Sequence, residues 1–78
     1  MILEFYEEGK KNCKDVREML EKFPSVQVFS VDVNDDKSLA LLDLFKVCVT
    51  PTLVFLPSLY TLCGDIKLQE LIKAVNKY

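Results

Sequence analysis

The 78-residue sequence predicts a single α/β domain in the element order βαβαββα, with a four-stranded mixed sheet and three helices. Two short β-rich runs are each followed by an amphipathic stretch with apolar residues three and four apart. The next two apolar runs are separated only by a short proline-containing turn, and the chain then closes on another amphipathic stretch. A helix between the first two strands makes them parallel, with a right-handed crossover. The short turn makes the last two an antiparallel hairpin.

Each element has its own local reason. Ile2 to Tyr6 is rich in β-formers and reads as the first strand. Asn12 is placed to cap a helix whose apolar positions are Val16, Met19, Leu20 and Phe23, and Pro24-Ser25 stops it. "VQVFSVDV", Val26 to Val33, alternates as a second strand. Asn34-Asp35-Asp36 is a turn and cap cluster, and "KSLALLDLF", Lys37 to Phe45, is a shorter second helix. Thr52 to Leu56 and Tyr60 to Cys63 are strands flanking Pro57-Ser58-Leu59. Gly64-Asp65 supplies a turn glycine and an N-cap. The last helix turns Leu68, Leu71, Ile72 and Val75 inward and Lys67, Glu70, Lys73 and Asn76 outward.

Bulk properties exclude several classes. Half of the residues are hydrophobic, 28% are charged and the net charge is −2, which fits a globular chain with no basic face for nucleic acid or an anionic membrane. Three cysteines, at positions 13, 48 and 63, form neither a disulfide framework nor a CxxC pair, and with no histidine they make no zinc motif. The uncharged run Val47 to Cys63 is shorter than the ~20 residues of a bilayer span, and prolines interrupt it. No signal-peptide pattern opens the chain, so a reducing, cytoplasmic compartment is expected. Glu7-Glu8 and Asp35-Asp36 read as solvated turns, and no metal or other cofactor is expected.

Three motifs carry a family resemblance. "LEFYEEGKKNCK" looks like the first strand and active-site turn of a thioredoxin or small glutaredoxin-like protein. "VTPTLVF" resembles that family's cis-proline loop and following strand, and "CGDIKLQELIKAV" resembles its glycine turn and closing helix. The resemblance covers nearly the whole chain. It implies the minimal thioredoxin fold and a thiol–disulfide redox function acting on protein thiols or disulfides, or on glutathione.

Carried over by position, Cys13 stands where the family has the second, resolving cysteine of its CxxC motif. Lys10 stands where the first, nucleophilic cysteine should be. The dithiol cycle, in which one thiolate attacks and the other resolves the mixed disulfide, is then unavailable to this pair. Cys13 reads either as a thiol that still reacts, in electropositive surroundings set by a helix start and by Lys10, Lys11 and Lys14, or as a half-buried relic. Lys10 tunes it, contacts an anionic partner, or is simply solvated.

The resemblance further implies a cis peptide before Pro51, with the backbone of Thr50 available to an extended peptide or glutathione. Cys48, three residues before Pro51, is expected to border the same surface. It reads as a free cysteine on a loop, or is open to pairing with Cys13, to glutathionylation, or to bridging a dimer of an otherwise monomeric chain. Tyr6, at the end of the first strand, belongs to this substrate-binding set. Glu4 aligns with a buried acid that relays a proton from the resolving thiol, whereas plain alternation turns it to solvent. Gly64 is expected at positive φ, and Cys63 in the core. The alternative to a redox protein is a redox-silent module that binds an extended peptide or protein partner.

Overall fold

A computed structural model describes residues 1–78. The strand β1 (Ile2–Tyr6) lies inside the sheet, and its first four residues are buried. On one side it pairs in parallel with β2 (Val28–Asp32), from Ile2 opposite Val28 to Tyr6 opposite Asp32. On the other it pairs antiparallel with β3 (Thr52–Phe55), from Ile2 opposite Phe55 to Phe5 opposite Thr52. The hairpin partner β4 (Tyr60–Cys63) completes a sheet of order β2-β1-β3-β4. Both interior strands, β1 and β3, are buried on both faces because helices cover both sides of the sheet, with Glu4 and Thr52 the polar residues among them.

Side chains alternate about the sheet. Ile2, Leu53, Phe55 and Leu62 point to one face, where they meet Val16 and Leu20 of α1 (Lys11–Leu20) and Leu71 and Ala74 of α3 (Leu68–Lys77). Leu3, Phe5, Val31 and Val54 point to the other, where Leu41 and Leu42 of α2 (Leu39–Leu44) and the adjoining Phe45 pack against them. A 3-10 turn at Asp36–Ser38 precedes α2, with Asp35 accepting the N–H of Lys37. No helix is long and apolar enough to cross a membrane.

Several boundaries and orientations differ from expectation. The cap of α1 is Lys10 rather than Asn12, because Gly9 at φ +82° lets the chain turn early and enter the helix at Lys11. The helix ends at Leu20, though Phe23 still packs on the core. Strand β2 begins at Val28, after Val26-Gln27. Leu56 leaves β3 for the hairpin turn, where Leu56–Pro57 is cis and Leu59 takes a positive φ. Gly64 has the expected positive φ, of 76°. The cap of α3, however, is Lys67, whose N–H donates to the Glu70 carboxylate at 3.1 Å, while Asp65 pairs with the Lys67 ammonium. Ile72 is exposed, and Ile66 fills the core instead, from the turn before the helix. Cys63 is also exposed, since its register opposite Thr52 at the sheet edge leaves it uncovered. The structure separates the two readings of Glu4: it is 2% exposed, buried as the family resemblance implied and not solvent-facing as plain alternation had it, because α1 closes over its face of the sheet.

Candidate functional site at the turn between β1 and α1

The turn Glu7-Glu8-Gly9 reverses the chain between β1 and α1, closed by the Lys10 N–H donating to the Glu7 carbonyl at 3.3 Å. The left-handed backbone at Gly9 costs glycine little, whereas a residue with a Cβ would be strained there. Lys10 itself is extended, at φ −90° and ψ 126°, and its side chain is free to reach away from the helix.

It reaches Thr50. The Lys10 Nζ donates to the Thr50 carbonyl at 2.6 Å and to the Thr50 Oγ1 at 3.1 Å. The same hydroxyl donates its proton to the Glu7 carboxylate at 3.2 Å. Thr50 is thereby fixed from both sides, and the Thr50–Pro51 peptide that follows is cis, as the family resemblance implied. Pro51 is fully buried beneath it.

Cys13 is the third residue of α1 and faces inward. It is 3% exposed, and its Sγ accepts the Glu7 N–H at 3.4 Å. Cys13 is nevertheless among the residues that line a cavity of about 410 Å3, together with Tyr6, Lys10, Lys14 and Arg17. A second cavity of about 260 Å3 is lined by Val33, Leu42, Val47, Cys48, Val49 and Thr50. Glu7 and Lys10 line both cavities, so the two adjoin at the Lys10–Thr50–Glu7 contacts.

Of the residues singled out in the sequence, Tyr6, Lys10 and Cys13 therefore gather at one cavity, and Cys48 and Thr50 at its neighbour. Glu4 stands apart from the thiol in its bonding. Its carboxylate accepts from the Ser30 hydroxyl at 2.6 Å and from the Arg17 Nε at 3.2 Å. Arg17 also lies over the Tyr6 ring, 3.9 Å from the centroid. Burial works against the Arg17 charge, but Glu4 and Tyr6 outweigh it and raise the guanidinium above its ordinary pKa. All three cysteines are free thiols.

Sequence reading missed Glu7 and Arg17. Arg17 had a legible clue, since it lies four residues after Cys13 and one helical turn beyond it on the same side. Glu7 had none: a carboxylate in a glycine turn reads as solvated until Thr50 is brought across from the β3 loop. No family model matches the sequence, and no curated protein matches it.

Chemically, this arrangement offers one buried thiol beside a cavity, a fixed guanidinium and a lysine committed to a backbone carbonyl. A single thiol can form a mixed disulfide, but Lys10 has no sulfur with which to resolve it.

Proposed function

We propose that this chain is a thioredoxin-like protein of the thiol–disulfide exchange class, serving redox homeostasis through the single thiol of Cys13. The observation that supports this most directly is that Cys13 lies in the first turn of α1 and is among the residues lining a cavity beside the cis Thr50–Pro51 loop. The strand order β2-β1-β3-β4, with a parallel β1–β2 pair and an antiparallel hairpin, is consistent with the thioredoxin topology.

The exchange has two balanced steps. The Cys13 thiolate attacks a glutathione mixed disulfide on a protein, taking the glutathionyl sulfur and releasing the protein thiolate. The thiolate of a second glutathione then attacks that adduct, giving glutathione disulfide and restoring Cys13. The disulfide substrate is the oxidant and glutathione the reductant, so Lys10 is not asked for a sulfur.

The test uses the Cys48→Ser/Cys63→Ser variant, because both other thiols are exposed and would react on their own account. Incubation with glutathione disulfide should add one glutathionyl group, located by mass spectrometry at Cys13. No adduct at Cys13, under conditions where Cys48 and Cys63 of the unaltered chain are modified, would overturn the reading.

One observation favours a second reading, a redox-silent module that holds a protein partner. Lys10 Nζ occupies the Thr50 carbonyl at 2.6 Å, so the side chain standing in the nucleophile's place is spent on structure. The carbonyl expected to be open to an extended peptide is instead bonded within the chain, leaving a partner to the side chains that line the two cavities. In that case Cys13→Ser leaves partner binding intact.

A further inference from the structure

We infer that the two cavities beside Lys10 form one bipartite groove, which takes an extended peptide carrying acidic residues at one end and an apolar residue at the other. The inference shares with the proposed function the premise that this surface is the working site. It does not need Cys13 to react.

The two halves differ in chemistry. The cavity at the β1–α1 turn is lined by four cations, Lys10, Lys11, Lys14 and Arg17, against two carboxylates, Glu7 and Glu8. Glu7 is engaged by the Thr50 hydroxyl. Among the cations, Lys10 is committed to Thr50 and Lys11 makes a long 3.9 Å pair with Asp15, whereas Lys14 has no carboxylate partner. Arg17 is held from behind, its Nε on the buried Glu4 and its plane over Tyr6. A guanidinium fixed in this way presents its remaining N–H groups as a planar fork, the geometry that suits a carboxylate. Glu4 and Ser30 thus act as positioning residues for Arg17.

The neighbouring cavity is apolar away from the shared Glu7 and Lys10, walled there by Val33, Leu42, Val47 and Val49, with Val49 45% exposed. An inorganic anion would use only the first cavity and leave this one open to water. A polyanion such as nucleic acid meets a chain of net charge −2, whose cationic surface is local. A peptide with an acidic end and an apolar end satisfies both halves, crossing at the Lys10–Thr50 contact.

The experiment uses the full chain with all three cysteines changed to serine, so that no disulfide can form. The probe is a fluorescein-labelled hexapeptide with two aspartates, a glycine-serine spacer and two leucines, read by fluorescence anisotropy. Exchanging the aspartates for asparagines, or the leucines for serines, should each weaken binding about tenfold. Lys14→Glu should weaken only peptides that carry aspartates, and Val49→Asp only those that carry leucines. Both substitutions are at exposed positions, so folding is not at stake. Equal binding of all three peptides, or indifference to both substitutions, would overturn the inference. So would tighter binding of a single-stranded thymidine octamer than of the bipartite peptide. Because Cys13 is absent throughout, success here beside a failed glutathionylation assay would remove the redox reading alone.

Discussion

The two helices that cover opposite faces of the sheet, α3 and α2, contribute differently. In α3, Leu71 is fully buried and Ala74 nearly so, and Glu70 closes the first turn on the Lys67 N–H. In α2, no residue is buried, and Leu39 and Leu44 are 62% and 68% exposed. Length explains much of the difference. At ~1.5 Å rise per residue, the ten residues of α3 span nearly twice the distance of the six in α2. Phe29, in register with Leu3 on the α2 face, is left 58% exposed. One face of the sheet therefore carries the larger core cluster. The other is thinly covered, and the loop that follows α2 delivers Cys48, Val49 and Thr50 to the site. Binding residues are commonly held on loops beside a rigid scaffold, and here the scaffold is the face under α1 and α3.

Removing a side chain from the well-covered face tests that division most severely. Leu71→Ala takes a fully buried side chain out of the larger cluster, and should cost about 2–5 kcal/mol by urea unfolding. A loss below about 1 kcal/mol would mean that this face relaxes easily and is not the scaffold.

The next effect probes the one charged group in that face. Arg17→Met leaves the carboxylate of Glu4, 2% exposed, with Ser30 as its only partner. An abandoned buried acceptor costs about 1–3 kcal/mol, and the lower half of that range applies because the Arg17 side chain is itself 42% exposed and water can take its place. The double variant Glu4→Gln/Arg17→Met should recover part of the loss, since a neutral amide needs no counter-charge. Loss without recovery would assign the effect to lost packing over Tyr6 rather than to Glu4.

Much of this was legible in the residues, and the remainder failed for local reasons. The element order and the hairpin followed from apolar runs separated by amphipathic stretches, and the core positions Val16, Leu20 and Leu71 followed from helical period. The burial of Glu4 followed from the resemblance but not from alternation, which identifies which residues share a face but not whether a helix covers it. The partners of Glu4, Ser30 on β2 and Arg17 on α1, become neighbours only once three elements are assembled. The cap of α1 was misplaced because Asn12 is the better capping residue, whereas Gly9 sets where the chain turns. At the site, the residues flanking Cys13 could be named from their positions. The bond from Lys10 to Thr50 joins residues forty apart in the chain, and no local pattern encodes it.

The smallest expected effect sits on the thinly covered face. Leu44→Ser replaces a leucine that is 68% exposed at the end of α2, and stability should change by no more than about 0.5 kcal/mol. Leucine and serine differ little in what they bury at such a position, so most of the usual cost of a polar substitution is absent. The amide protons of α2 should also exchange faster than those of α3, since a six-residue helix with no buried side chain can open without disturbing the main core. A loss of several kcal/mol in Leu44→Ser, with slow exchange across α2, would mean that this helix is held by something its exposure does not reveal. The contrast between the two faces would then fail, and with it the assignment of the loop after α2 to the less constrained side of the molecule.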